Sequence, residues 1–491
     1  MEPPTETWYR ALSAHDPRFD GVFFVGVRTT GIYCRPVCRA RTPGRDRCVF
    51  FHRAAEAERD GFRACFRCRP ELAPGNGPVD AVPRLVEAAL ARIEAGALNE
   101  GSLDALAGEL GVSARHLRRA MAAELGVSPV ELAQSRRLAL AKQLLHETGL
   151  PLAEIAFASG FSSVRRFNAL FRTRFGGPPS SLRRARDEAA AGDLLTLRLD
   201  YRAPFSWASL VAFLGARAIP GVESVEDGVY RRAARLGDRA GWIAVHHDPT
   251  RPALRAEISR SLTGALMPLV GRLRALFDLD AHPAVIDAHL SRDPRLAGSV
   301  ARRPGLRVPG AFDGFETAVR AVLGQQVSVR AATTVSGRLA QAFGAPISTP
   351  WAGVTHLFPR AEILAGASEA SIASLGMPGA RARAVIALAG AAAEGSLRLD
   401  RRGDPARTVT QLEALPGVGA WTAHYVAMRA LGWPDAFPAS DLALRQALGG
   451  VAARDTLTLA EPWRPFRAYA ALHLWTTLSE GALDDPLHPA L

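Results

Sequence analysis

The sequence predicts a multidomain, mainly α protein in which sheet-containing and helical segments alternate. Its 491 residues are enough for three or four domains with separate cores. Apolar residues recur at spacings of three and four from 83 to about 186, and a helical pattern returns from about 304 to the end. Between these segments, alternating apolar and polar residues predict a strand in LLTLRLDYRAPF (194–205), and a second strand starts at Gly241 in GWIAVHH.

Breaks in this pattern predict the linkers. APGNGP (73–78) is rich in glycine and proline, and RDEAAAGD (186–193) is a second candidate linker. We therefore expect four domains. The first two are a small α/β domain at 1–77 and an all-α domain at 78–190. The other two are an α+β subdomain with an antiparallel sheet at 194–303 and an all-α domain at 304–491.

The composition is that of a globular protein with excess positive charge. The formal net charge of +12 favours a polyanionic partner such as nucleic acid. No apolar run approaches the roughly 18 residues of a membrane span, and the first residues, MEPPTETWYR, lack the apolar core of a signal peptide. We expect a cytoplasmic, nucleoid-associated protein with no membrane partner. Lys142 is the only lysine, which excludes any mechanism that needs a lysine amine elsewhere.

The five cysteines all lie in the first 68 residues, and four of them form two close pairs. The pattern is C-x3-C, then 26 residues, then C-x2-C, and it comprises Cys34, Cys38, Cys65 and Cys68. Two close pairs separated by a loop suit a tetrahedral Zn²⁺ site. Buried free thiols and a purely structural zinc remain as alternatives on this pattern alone. Cys48 has no partner in it.

Two stretches around these cysteines, DPRFDGVFFVGVRTTGIYCRPVCRARTP and GFRACFRC, resemble the N-terminal zinc domain of the Ada family over residues 8–70. The resemblance implies that Cys34 is both a zinc ligand and the nucleophile that takes a methyl group from a methyl phosphotriester in damaged DNA. It also implies contacts to the DNA backbone from Thr30, Arg41 and Arg63.

Methylation of Cys34 would change the charge of this site. Four thiolates on one Zn²⁺ leave two net negative charges, whereas three thiolates and a thioether leave one. Because the DNA backbone is negative, we expect methylation to strengthen DNA binding as an electrostatic switch. The transfer should be stoichiometric, since a thioether has no easy route back.

Two helix-turn-helix patterns follow in the second segment. In SLDALAGELGVSARHLRRAMAAELG, Ser102 and Ser113 are candidate helix caps and Gly111 is a turn. In LPLAEIAFASGFSSVRRFNALFRTRFG, Gly160 is the predicted turn, and Ser162 or Ser163 is the candidate cap of the helix that follows. An ordinary helical bundle with solvated arginines is the alternative.

Together the two patterns resemble the AraC-type DNA-binding domain over 83–186, which places two recognition helices in successive major grooves. The candidate DNA-contacting residues on these helices are Arg115, His116, Arg118, Arg119, Arg165, Arg166 and Asn168.

The C-terminal half carries the pattern of a helix-hairpin-helix. In LPGVGAWTA, Gly417 and Gly419 allow backbone N–H groups to approach a phosphate. With YRAPFSWASLVAFLGARAIPGVESV, RPGLRVPGAFDGFETAVRAVLGQQVSV and WRPFRAYAALHLW, residues 194–491 resemble the AlkA-type 3-methyladenine DNA glycosylases II throughout. No cysteine follows Cys68, so the second methyltransferase of full-length Ada, with its PCHR motif, is absent.

This second resemblance implies an all-α helix-hairpin-helix glycosylase core. It makes Asp441 the acid that stabilises the oxocarbenium-like sugar and orients or deprotonates water. A helix N-cap is the structural alternative for Asp441, and both roles can hold. Trp421 stands where bifunctional members carry a lysine, which predicts a monofunctional enzyme.

The same resemblance places Trp421, Tyr425 and Trp475 around the flipped base. Core aromatics are the alternative reading of these three residues. It also puts Gln326, in LGQQVS, where an apolar wedge fills the gap left by that base. No cofactor is expected for glycosylase chemistry, although the hairpin is a candidate site for a monovalent cation.

The sequence therefore predicts a methyl-phosphotriester-sensing transcription regulator fused to a glycosylase for alkylated bases such as 3-methyladenine. One alternative is a regulator that uses the glycosylase fold only to bind damaged DNA. Another is a repair enzyme whose N-terminal half only recruits it to DNA. The expected partners are double-stranded alkylated and promoter DNA and RNA polymerase, and the protein is expected to be a monomer.

Overall fold

The computed structural model describes residues 5–74, 84–183, 194–401 and 404–484. Residues 75–78 of the first predicted linker and the whole second predicted linker at 186–193 lie outside these ranges. The chain forms two compact units, one of residues 1–203, 236–239 and 248–271 and the other of residues 204–235, 240–247 and 272–491. Within the described ranges, no helix has the length and apolar character to cross a membrane.

The N-terminal part of the first unit is a small α/β fold. Its elements are α1 (Thr5–Ser13), β1 (Phe24–Val27), β2 (Ile32–Cys34), β3 (Cys48–Phe51), α2 (Ala54–Arg59) and β4 (Arg63–Ala64). The sheet order is β3-β1-β2-β4, with β1 antiparallel to β2 and β3, and β2 parallel to β4. The β2–β4 register pairs Tyr33 with Ala64, so that Cys34 and Cys65 follow side by side.

Seven helices follow and confirm the predicted helical segment: α3 (Arg84–Glu94), α4 (Ala97–Glu100), α5 (Leu103–Glu109), α6 (Ala114–Leu125), α7 (Pro129–Glu147), α8 (Leu152–Ala158) and α9 (Val164–Phe175). The predicted caps are confirmed, because Ser102 and Ser113 accept N–H bonds at the starts of α5 and α6. Ser163, rather than Ser162, caps α9. Gly111 and Gly160 turn the chain at φ +70° and +84°, where a side chain would be strained.

The next segment mixes strands and helices: β5 (Leu194–Asp200), α10 (Trp207–Ala216), β6 (Glu223–Glu226), β7 (Val229–Leu236), β8 (Arg239–His247), β9 (Ala253–Ser259), α11 (Leu266–Leu276), α12 (Pro283–Leu290) and α13 (Pro294–Arg302). In the first unit, β5 pairs antiparallel with β9 from Leu194↔Ser259 to Asp200↔Ala253. In the second, β6 pairs antiparallel with β7. The predicted strand at 194–205 is shorter in the structure and ends at Asp200, where its pairing with β9 ends at Ala253.

The remainder of the second unit is helical, as predicted: α14 (Gly314–Leu323), α15 (Val329–Phe343), α16 (Ala361–Ala365), α17 (Glu369–Ala373), α18 (Gly379–Ala393), α19 (Pro405–Glu413), α20 (Ala420–Arg429), α21 (Leu442–Ala447), α22 (Ala453–Ala460) and α23 (Arg467–Asp484). The turn between α19 and α20 requires glycine at position 417. There φ is +78°, and a Cβ would lie 2.8 Å from the Cβ of Ala384.

Candidate metal centre and candidate active site

The four paired cysteines converge in the first unit. Their Sγ atoms all lie within 4.8 Å of one another. A tetrahedral Zn²⁺ with Zn–S bonds of about 2.3 Å needs sulfurs about 3.8 Å apart, so these side chains fit the ion. Cys48 is outside the cluster, on β3, with its Sγ 3.4 Å from the carbonyl oxygen of Gly44.

The sulfurs are too close to ionise independently. Hydrogen bonds within the cluster raise the pKa of the Cys34 thiol, and the bond between Cys34 and Cys38 has the largest effect. The bond between Cys65 and Cys34 lowers the pKa of the Cys65 thiol. A bound cation would remove this competition, because it stabilises all the thiolates together.

Backbone donors distinguish Cys34 from the other three cysteines. The N–H of Arg67 points at Cys65 Sγ and the N–H of Arg35 at Cys68 Sγ, each over 3.4 Å, and Cys38 accepts from the backbone of Ala40. Among the described residues, no backbone N–H donates to Cys34 Sγ. An N–H···S bond withdraws charge from a thiolate, and among the described contacts Cys34 is the one cysteine of the four that lacks such a bond.

A buried arginine ties the metal centre to strand β5. Arg35, next to Cys34, donates from Nε to Asp20 Oδ1 over 2.8 Å and from Nη1 to Asp200 Oδ2 over 3.0 Å. Its side chain is only 7% exposed. Nη1 also reaches the carbonyl oxygen of Cys68, 3.3 Å away. Two carboxylates thus compensate this buried guanidinium within one unit.

The only lysine makes a second connection to the cluster. Lys142, on α7, donates from Nζ to Glu71 Oε2 over 2.8 Å and to the carbonyl oxygen of Cys65 over 3.2 Å. Its side chain is 1% exposed. The lysine is therefore structural and links the longest helix of its segment to the cysteine-bearing fold.

The predicted DNA-contacting residues of the first unit lie mostly at the surface. Thr30 and Arg41 are exposed on loops, and Arg63 is half-buried with its guanidinium carbon 5.0 Å from the centre of the Phe66 ring. On α6 and α9 the exposed residues are Arg115, His116, Arg118, Arg119, Arg165 and Arg166, and Asn168 is half-buried. The two helices therefore present arginines to solvent, as recognition helices require.

In the second unit, the carboxylate of Asp441 is held by three N–H donors. It caps α21 by accepting from the N–H of Leu444 at Oδ1, over 2.9 Å, which confirms the predicted N-cap. The indole Nε1 of Trp475 donates to the same oxygen over 2.9 Å, and that of Trp421 donates to Oδ2 over 2.8 Å.

The three predicted pocket aromatics lie together beside Asp441. Trp421 and Tyr425 stack with centroids 5.3 Å apart and an interplanar angle of 12°, and Tyr425 lies 6.2 Å from Trp475. Each of the three residues is half-buried, so the cluster is not sealed inside the core. Stacked aromatic faces of this kind bind a planar, cationic base well.

Arginines surround the hydroxyl of Tyr425. Arg429 donates from Nη1 to Tyr425 Oη over 2.7 Å. Burial by itself raises the pKa of this phenol, but the guanidinium groups of Arg429, Arg217 and Arg320 outweigh it and lower the pKa below its ordinary value.

Comparison with known proteins identifies the domains of the chain. Four family models match: the metal binding domain of Ada (7–71), a helix-turn-helix domain (106–185), the AlkA N-terminal domain (196–313) and the HhH-GPD superfamily base excision DNA repair protein (319–460). The probable bifunctional transcriptional activator/DNA repair enzyme AlkA of Mycobacterium tuberculosis is 43% identical over 487 residues, 97% of each chain. The chain belongs to this family of AlkA-type bifunctional proteins.

Further similarity covers the second half of the chain. DNA-3-methyladenine glycosylase 2 of Escherichia coli is 36% identical over 279 residues, which are 57% of this chain and 96% of that protein. The solved 3-methyladenine DNA-glycosylase of Archaeoglobus fulgidus has the same fold, with a TM-score of 0.50 at 23% identity over 56% of this chain and 96% of its own. This AlkA-type protein thus joins the domains of a regulator to those of a repair glycosylase, and its cysteine cluster is a Zn²⁺ site.

The loop before α15 carries the predicted wedge residue. Gln326 is exposed at φ +54°, in the left-handed region that a side chain seldom adopts. Its neighbour Gln325, which was not predicted as a site residue, donates from Nε2 to the carbonyl oxygen of Gly417 and to Thr422 Oγ1, both over 2.9 Å. Gln325 therefore fixes the wedge loop to the hairpin. Gly419, at φ −98°, begins α20 with open space where a Cβ would stand.

The residues that support the two sites from a distance were not predicted from the sequence. Arg35 was hidden because its partner Asp200 is 165 residues away. Arg429 could have been suspected, since it lies four residues after Tyr425 and thus on the same helix face.

Proposed function

We propose that this AlkA-type protein removes alkylated bases from DNA with its second unit and senses methyl phosphotriesters with its first. The observation that carries the first proposal is the carboxylate of Asp441, placed by two indole N–H groups beside a half-open cluster of aromatic rings. A negative charge next to a stacking surface is what hydrolysis of a glycosidic bond to a flipped base needs.

In the proposed hydrolysis, the flipped base stacks on Trp421, Tyr425 and Trp475. The C1′–N bond breaks with its electron pair going to the base, and the sugar acquires oxocarbenium character. Asp441 stabilises that positive charge and orients water to attack C1′. An N-alkylated purine is already cationic, so it leaves as a neutral base without needing a proton.

We propose that the enzyme is monofunctional and leaves an abasic site. Strand cleavage by a lyase needs an amine to form a Schiff base with the sugar. The only lysine of the chain, Lys142, belongs to the other unit and is buried against Glu71. Position 421 of the hairpin carries an indole instead.

In the proposed sensing step, Cys34 is the acceptor. Bound Zn²⁺ keeps the cysteines as thiolates at neutral pH. The Cys34 sulfur attacks the methyl carbon of a phosphotriester, an S–C bond forms, and the C–O bond breaks with its electron pair leaving on the phosphate oxygen. Cys34 is favoured because no described backbone N–H weakens it. The thioether carries no charge, so repulsion of the DNA backbone falls and DNA binding strengthens.

As a regulator, the protein would bind promoter DNA through α6 and α9 and act on RNA polymerase. A self-contained double helix-turn-helix can do this as a monomer. No cofactor is proposed for the glycosylase reaction itself, although the backbone of the hairpin could hold a monovalent cation against a DNA phosphate.

The test of the glycosylase is release of methylated purines from alkylated double-stranded DNA by the wild type and by Asp441→Asn. We expect release by the wild type and a loss of at least about 10²-fold in the variant. Equal, background-level release from both would leave the second unit as a damaged-DNA binding module. Strand breaks formed without added base or heat would contradict the monofunctional assignment.

A further inference from the structure

The hydrogen-bonding capacity of Asp441 is almost filled by the protein. Each carboxylate oxygen accepts about two hydrogen bonds. Oδ1 receives the N–H of Leu444 and the indole N–H of Trp475, both over 2.9 Å, and Oδ2 receives the indole N–H of Trp421 over 2.8 Å. Counting donors from the described residues, one acceptor position remains, and it is on Oδ2.

The two indole donors orient the carboxylate without neutralising it. A tryptophan N–H is a neutral donor that cannot accept a hydrogen bond or carry charge. In the described part of the chain, no cationic side chain lies within the 4.0 Å of an ion pair with Asp441. The negative charge of the carboxylate is therefore left available to a cationic sugar.

The donors also come from separate parts of the fold. Trp421 is on α20, Trp475 is on α23, and Asp441 begins α21; the two indoles are 20 and 34 residues from it in sequence. The carboxylate is therefore fixed against rotation by three helices rather than by its own cap alone. Stacking of a base on either ring does not require the indole N–H.

We propose that Trp421 and Trp475 are positioning residues that fix the orientation of the Asp441 carboxylate and leave one acceptor position, on Oδ2, for water or the sugar. This inference rests on the proposed glycosylase function. It gives the two tryptophans two separate roles, because their ring faces bind the base and their N–H groups orient the Asp441 carboxylate.

The test removes the N–H and keeps an aromatic ring. Trp475→Phe and Trp421→Phe are compared with Trp463→Phe, in which an indole bond of 2.7 Å to Asp293, the cap of α13, is lost elsewhere in the same unit. In the full zinc-loaded protein, single-turnover base release and the Kd for lesion-containing DNA are measured separately. We expect the first two variants to lose about 10- to 100-fold in rate, as is typical of groups that orient a reacting ligand. Their Kd should change less than about threefold, and Trp463→Phe should keep its rate.

One further readout distinguishes positioning from packing. The rate loss should vanish in an Asp441→Asn background, because the N–H groups act through that carboxylate. If Trp475→Phe unfolds, benzothienylalanine at position 475 replaces the N–H by sulfur with nearly the same shape.

A loss of equal size in the Asp441→Asn background, or a loss confined to Kd, would overturn the inference while leaving the glycosylase intact. Background release by the wild type itself would instead overturn the proposed function, and the inference with it.

Discussion

Replacing Arg35 by methionine tests how the metal centre is held in the first unit. The change keeps side-chain length but removes the bonds to Asp20 Oδ1 (2.8 Å), Asp200 Oδ2 (3.0 Å) and the Cys68 carbonyl (3.3 Å). Asp200 keeps a bond to Arg198 over 2.8 Å, whereas Asp20 loses its only cationic partner among the described residues. Breaking a buried ion pair by removing one partner costs about 3–5 kcal/mol. With one carboxylate still paired, we expect about 3 kcal/mol.

Hydrogen exchange of the full, zinc-loaded chain measures this locally, in peptides covering 20–35 and 194–200. A loss of about 3 kcal/mol should speed exchange by about 10²-fold in both segments. Arg67→Met is the matched control, because that arginine is exposed in the same fold and its side chain makes one bond of 3.5 Å. It should change stability by less than about 0.5 kcal/mol.

The double variant Arg35→Met/Asp20→Asn should recover most of the loss, since no uncompensated charge stays buried. Unchanged exchange in 194–200, or a double variant as unstable as the single one, would refute the role given to this ion pair.

Three further predictions concern single groups. Cys34→Ser should abolish the gain of one methyl group on incubation with methyl phosphotriester DNA, measured by peptide mass spectrometry. The control Cys48→Ser should still gain the methyl group. Methylation of the Cys34→Ser protein on another cysteine would contradict the role of Cys34 as acceptor. Because arginines lower the pKa of Tyr425, ultraviolet titration should show one tyrosinate forming below the ordinary pKa of about 10. This signal should be absent in Tyr425→Phe and should move to higher pH in Arg429→Met. Since the pKa of Tyr425 is lower in the folded than in the unfolded protein, its ionisation should stabilise the fold as pH rises through that pKa. Ser113→Ala removes the cap of α6 and should cost about 1 kcal/mol in urea unfolding of the first unit, and an unchanged midpoint would show that the cap is dispensable.

Features set by near neighbours in sequence could be predicted. The caps Ser102 and Ser113 and the cap Asp441 follow from short patterns, and each makes the expected bond. The two cysteine pairs also follow from sequence spacing. The parallel pairing of β2 with β4, however, is what brings one pair next to the other.

Contacts between distant segments could not be predicted. The bonds of Asp441 to Trp421 and Trp475 depend on how three helices pack, which periodicity does not reveal. The Arg35–Asp200 pair has no local signal at all. Strand β5 was predicted too long because alternation continues past Asp200, while pairing with β9 ends there.

The most direct test of the dual function counts products on one preparation of zinc-loaded protein incubated with excess methylated DNA. Released methylated purine should exceed one equivalent per chain and keep rising with time, because Asp441 is regenerated in each turnover. Methyl on Cys34 should instead stop at one equivalent, because the thioether is not reversed. Base release that stays at the level of Asp441→Asn, or methyl uptake that never appears on Cys34, would contradict the account.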